Sequence, residues 1–249
     1  MFDHMDCLDM EFINIAADAI RDNRLSFATQ TIVSVSTGEV LYSECKPQLW
    51  TESGSVHEAP EFMPALEALG ECPLVDRHML RLTLDGLERS SACVLGCKLS
   101  IENFCDFRAY ELIREQIVER FSLASRLVLE INQTDPQMDL ALLSRALPEL
   151  RALGCKFALD DFGANANHSF RVLNAAHFEI VKVDHAFMNP KAPSLSETKK
   201  LADRIATAKG HADTIVVDGI LTPAQKRCAE IAGATHIQNI QVPEAKWLQ

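Results

Sequence analysis

From residue 92 to residue 238 the chain alternates short apolar runs with longer stretches of helical periodicity, and this rhythm constrains its fold more than any other feature. Runs at 92–99, 126–131, 156–159, 178–183, 214–217 and 235–238 read as strands. The intervening segments 108–121, 138–153, 168–176, 196–209 and 223–232 read as helices, with Gly154 as a stop for the second and Pro223 in the first turn of the last. Strands joined by helices of this length pair in parallel through right-handed crossovers. The start of the chain differs. Phe12, Ile13, Ala16, Ala19 and Ile20 predict a helix over 8–22, and strands follow at 25–35 and 39–45. Only a Thr37-Gly38 turn separates those two strands, so they form an antiparallel hairpin. A polar loop is expected over 50–60, then helices over 61–70 and 74–87. Eight strands in 249 residues suit a closed β/α barrel, which typically needs ~250 residues. The expected fold class is therefore α/β, a single barrel domain over residues 1–249 with an antiparallel first hairpin.

A hydrophobic content of 47% is enough to fill such a core. The net charge of -11, with no cluster of Lys and Arg, argues against binding a nucleic-acid duplex through its phosphates. None of the eight cysteines forms a CxxC pair, and several sit in apolar runs as buried thiols do. The first residues are acidic, and no apolar run approaches the ~18 residues of a membrane span. A reducing cytoplasm is the expected setting.

In a parallel barrel, functional groups collect where strands end. The predicted strand ends carry Glu44, Lys98, Glu130, Asp160 with Asp161, Lys182 with Asp184, Asp218, and Gln238. Lys156-Phe157-Ala158-Leu159-Asp160-Asp161-Phe162-Gly163 is the plainest case: a buried strand delivering two adjacent carboxylates and then turning sharply. A polar residue at one strand end is ordinary surfacing. Five carboxylate-bearing ends converging on one rim form a cluster that repels itself unless cations or lysines offset it.

These residues resemble the EAL domain. The match rests on Gln30, Glu44, Glu61-Phe62-Met63-Pro64, Pro73-Leu74-Val75-Asp76-Arg77, Leu129-Glu130-Ile131-Asn132-Gln133, Asp160-Asp161-Phe162-Gly163, Val181-Lys182-Val183-Asp184 and Asp218-Gly219. The resemblance implies a modified TIM (β/α)8 barrel of the type that hydrolyses the bacterial messenger cyclic di-GMP with two Mg²⁺ or Mn²⁺ ions. It implies Glu44, Glu130, Asp160 and Asp161 as metal ligands, Lys182 on the attacking water, and Asp218 in the place of an assisting glutamate. Gln30, Glu44, Gln48 and Gln238 would face the ligand.

The chain also departs from the family. The signature Glu-Ala-Leu is Glu44-Cys45-Lys46, the phosphate-binding arginine is Gln48, and the metal-binding asparagine of the third strand is Lys98. The second glutamate of Glu-x-x-Glu is Gln133, the loop after Gly163 reads Ala164-Asn165-Ala166-Asn167, and a further glutamate of strand seven is Leu221. The C-terminal motif is shortened to Gln238-Asn239-Ile240-Gln241-Val242-Pro243. Lys98 is expected within reach of Glu44, Glu130 and Asp160. At ~4 Å and an effective dielectric near 20, each such pair is worth about 4 kcal/mol before desolvation, and a divalent ion would be repelled by about twice that. Asp218 withdraws its carboxylate by one methylene, and misplacements of ~1 Å can cost about 10²-fold in rate. The expectation is a degenerate member, without a cofactor, that acts through a regulatory protein partner. Two alternatives stay open: a cyclic di-GMP receptor without hydrolysis, and a weakly active phosphodiesterase that uses Mg²⁺ or Mn²⁺. Members often dimerise, so a homodimer is compatible with either.

Overall fold

The computed structural model describes residues 7–132, 139–163, 166–186, 188–189 and 191–239. Helix α1 (Cys7–Arg21) leads into β1 (Leu25–Ser34) and β2 (Val40–Trp50). These strands pair antiparallel, with Gln30 opposite Glu44. Gly38, at φ 74°, takes the left-handed conformation that the tight turn between them requires. A short strand β3 (Val56–Glu58) then pairs back onto the end of β2, followed by α2 (Ala59–Leu69) and α3 (Cys72–Arg89).

The remaining strands are β4 (Leu95–Ser100), β5 (Leu127–Asn132), β6 (Lys156–Phe162), β7 (Ile180–Val183), β8 (Thr214–Ile220) and β9 (His236–Asn239). Helices α4 (Phe107–Glu119), α5 (Ala141–Ala152), α6 (Ala166–Ala175), α7 (Leu195–Ala208) and α8 (Pro223–Ala232) alternate with them. The sheet runs β1-β9-β8-β7-β6-β5-β4-β2-β3, and the β1–β2 pairing closes it. Eight strands thus form a closed barrel, parallel except for β1, which runs against both neighbours. β3 hangs outside as a ninth strand. This is the modified TIM barrel with an antiparallel first hairpin.

Three expectations need correction. The second strand does not end at residue 45 but runs to Trp50, so Glu44 lies in mid-strand. The expected polar loop contains β3. β8 extends three residues past 217, because its pairing with β9 resumes at Ile220 after an irregularity. Most of the core lies between the strands' outer faces and the helices, with Leu49, Phe62, Leu80, Phe104, Phe157 and Phe178 fully buried. Cys45, Cys72, Cys97 and Cys155 are buried, as predicted, but Cys105 is exposed.

Candidate functional site

Inside the barrel, Ile32, Tyr42, Val128, Ala158, Ile180 and Val216 pack into one buried apolar layer. Side chains alternate faces along a strand, so the residue two positions nearer the mouth shares that inward direction. Those residues are Gln30 on the reversed β1, then Glu44, Glu130, Asp160, Lys182 and Asp218. A polar layer therefore rests on an apolar floor. On β4 the corresponding pair is Gly96 and Lys98. A Cβ at Gly96 would stand 2.6 Å from the Tyr42 ring and 2.8 Å from Glu130 Oε1, so only glycine leaves both their places.

Lys182 is the hub of this layer. Its side chain is 0% exposed, and Nζ lies 2.8 Å from Glu44 Oε2, 2.6 Å from Glu130 Oε2 and 3.3 Å from Asp160 Oδ1. Lys98 Nζ lies 2.8 Å from Asp160 Oδ2 and 3.6 Å from Asp161 Oδ2. Lys46 Nζ takes the other oxygen of Glu44 at 2.6 Å. Gln238 Nε2 donates to Glu44 Oε2 at 2.6 Å and to Gln30 Oε1 at 2.8 Å.

Adjacent strand residues ordinarily point to opposite faces, yet Asp160 and Asp161 both reach Lys98. The backbone explains this. The β6–β7 register shifts between Leu159 and Phe162, and Asp161 adopts φ 54°. An aspartate tolerates that conformation better than most residues, at a cost of order 1–3 kcal/mol that commonly marks functional sites.

The charges settle one another. Burial alone would push the Glu44 carboxyl up, but Lys182 and then Lys46 hold it down at about 2. Burial likewise opposes ionisation of Asp160, and Lys182, Lys98 and Lys46 overcome it. Glu130 goes the other way, raised to about 7 by burial and then by the Glu44 charge, against the pull of Lys182. Asp161 is raised to about 6, chiefly by Asp160 beside it. For Lys182 and Lys98 the carboxylates outweigh burial, and both ammoniums are held above their ordinary range.

A cavity of about 240 Å³ opens beside this layer. Apolar groups including Pro47, Pro60, Met63 and Met79 wall it, and Lys46, Lys98 and Ser100 bring polar atoms to its floor. Asp76 also lines it, and its buried carboxylate accepts from Ser100 N at 2.7 Å, Ser100 Oγ at 2.5 Å and Asn103 Nδ2 at 2.8 Å.

The structure thus brings together Gln30, Glu44, Lys98, Glu130, Asp160, Asp161, Lys182 and Gln238. It corrects the expected reach of Lys98: its carboxylate partners are Asp160 and Asp161, while Glu44 and Glu130 belong to Lys182. Gln48 stands apart, donating to Glu58 Oε1 on β3 at 2.9 Å. Asp184 turns toward α7, 3.6 Å from Arg204. Asp218, partly exposed, joins none of these ion pairs. Gln133, Ala164, Asn165 and residues 240–243 lie outside the described residues, as do the side chains of Ala166, Asn167 and Asn239. Sequence reasoning missed Lys46, although its position two residues after Glu44 on one strand puts both on the same face. Asp76 was noted only as part of a matching motif, and no local pattern signals its burial beside the site. Among the described residues, no group of three or more His, Cys, Asp or Glu is arranged to hold a metal ion.

The sequence profile of the EAL domain matches residues 13–238. A curated relative, the cyclic di-GMP phosphodiesterase PdeF of Escherichia coli, is 22% identical over 71% of this chain and 24% of its own length. The curated relatives matched are longer proteins, of which the chain spans about a quarter to a third. Among solved structures, the S helix-GGDEF-EAL portion of Vibrio cholerae LapD, bound to c-di-GMP, superposes with a TM-score of 0.81 at 19% identity, covering 95% of this chain and 58% of that one. The FimX EAL domain of Pseudomonas aeruginosa, also bound to c-di-GMP, gives 0.78 at 20% identity over 92% and 93%.

Proposed function

The chain belongs to the EAL domain family, and from that premise we propose that it is a bacterial cyclic di-GMP signalling domain that has lost hydrolysis and acts by contact with a protein partner. One observation carries the reading: the ammonium of Lys98, at the place of the family's metal-binding asparagine, pairs with both Asp160 and Asp161. Glu44, Glu130, Asp160 and Asp161 would be the ligands of any metal, and each is already engaged with a lysine. As arranged, these residues do not fit a pair of divalent ions. Lys182 and Asp218 stand as the remnants of the hydrolytic pair. Lys182 is locked between carboxylates rather than free to hold water, and Asp218 is one methylene short of a glutamate. Gln48 replaces a charged phosphate donor with a neutral amide that is turned to Glu58. Without turnover, the domain's output has to be binding. The reading places one barrel domain in the cytoplasm, and a homodimer fits the habit of the family.

The apolar cavity beside Lys46 and Lys98, which Glu44 also lines, favours a second reading, in which cyclic di-GMP is bound without being cut and Gln30, Gln48 and Gln238 are the further residues that would face it. Two measurements on purified protein test these readings. Incubation with cyclic di-GMP and Mg²⁺ or Mn²⁺ is expected to give no linear product, and measurable hydrolysis would end the proposal. Titration with labelled cyclic di-GMP then separates the two. Micromolar binding would favour the receptor, and none would leave the protein partner.

A further inference from the structure

We infer that Lys46 and Lys98 replace the charge of divalent cations, making the mouth of this barrel a metal-independent ion-pair core. The inference rests on the non-hydrolysing reading above and deepens it, adding Lys46 as a second internal cation and indifference to metal as a measurable property.

Of the carboxylates at the mouth, four enter ion pairs with lysines, Glu44, Glu130, Asp160 and Asp161. Against Lys182 alone, three of these four negative charges would go unmet, a site that draws divalent cations. Lys46 on Glu44, and Lys98 on Asp160 and Asp161, cut that excess to one. The geometry agrees with the count. Lys98 bridges two neighbouring carboxylates, Lys182 bridges three, and Asp160 lies between the two ammoniums, giving an oxygen to each. A cation pair sharing a bridging carboxylate has the same connectivity. Lys46 completes it by taking the Glu44 oxygen that Lys182 leaves free.

Simple solvation of long side chains does not account for this arrangement. Lys46 and Lys98 are only 33% and 34% exposed, and each ends on a carboxylate that is at most 3% exposed. Their strands also direct them inward. Lys46 follows Glu44 by two residues on β2, and Lys98 follows Gly96 by two on β4. An entering metal would have to displace both tethered ammoniums and then compete with Lys182 for the same oxygens. Hard divalent cations bind through several oxygen ligands at once, and the engaged carboxylates do not supply them.

The test uses the whole purified chain, stripped with EDTA. Calorimetric titration with MnCl₂ is expected to give no micromolar binding, and the melting temperature is expected to be the same in EDTA and in excess MnCl₂. The double variant Lys46→Leu, Lys98→Asn should melt lower in EDTA and be restored by MnCl₂, because a ligand bound only by the folded state stabilises it. Its Mn²⁺ affinity should exceed that of the native chain by at least roughly tenfold, since two like charges have left the site. Micromolar Mn²⁺ binding by the native chain, or earlier melting in EDTA, would overturn the inference. A folded double variant indifferent to Mn²⁺ would overturn it too. If that variant does not fold, the native titration decides alone. Mn²⁺ binding without cyclic di-GMP turnover removes only this inference, whereas turnover removes the reading beneath it.

Discussion

Asp76 is 4% exposed and its carboxylate receives three hydrogen bonds, yet burial outweighs them and raises its pKa from 3.8 to about 6. The folded protein therefore holds this proton more tightly than the unfolded chain does. Stability falls as pH rises through the window from about 4 to about 6, and the cost persists above it. At 1.36 kcal/mol per pKa unit the full effect is about 3 kcal/mol. Asp76→Asn removes the charge and keeps an acceptor oxygen. Denaturant unfolding at stepped pH should show the variant gaining on the native chain across that window, and parallel curves would rule the effect out. Lys46 is the contrasting case. Its chemistry was visible beside Glu44, but its partner was not, because an ion pair is settled by side-chain reach rather than by order along the chain.

Elements were legible where local chemistry terminates them. Helix α7 begins at a reciprocal cap, in which Ser194 Oγ accepts from Glu197 N at 3.2 Å and Glu197 Oε2 accepts from Ser194 N at 2.5 Å. Glu197 Oε1 also accepts from Asn189 N at 2.9 Å, which ties the incoming loop to the helix. Ser194→Ala should cost about 1 kcal/mol, read as a lower melting temperature with the fold unchanged. A cost near zero would mean the helix start is held by packing instead. Strand ends behaved differently. Lys46-Pro47-Gln48 has no apolar run, yet it is strand, because β1 pairs along all three residues and β3 takes up the other side from Gln48 onward. Pairing across the sheet has no counterpart in a local window.

The barrel as a whole depends on Lys182 holding together acids from β2, β5 and β6 at zero exposure. Removing one partner of a buried ion pair typically costs about 3–5 kcal/mol, out of a total stability of about 5–15. Lys182→Met is therefore expected to lower the denaturant midpoint sharply with an unchanged slope. A loss below about 1 kcal/mol would mean that the freed carboxylates take up protons or cations without penalty.

The barrel class, the antiparallel opening and most of the charged strand residues at the mouth were determined by the sequence alone. Periodicity and connection length encode the first two, and alternation along each strand places the third on a common face. Only the tertiary structure decided which lysine meets which acid. Three ammoniums from β2, β4 and β7 share four carboxylates from β2, β5 and β6, and that division rests on distances of a few ångströms between strands far apart in the chain. The irregularity at Asp160-Asp161 was equally hidden, since it arises where the register of β6 on β7 shifts. Family resemblance named the acids, and three-dimensional packing assigned them to lysines.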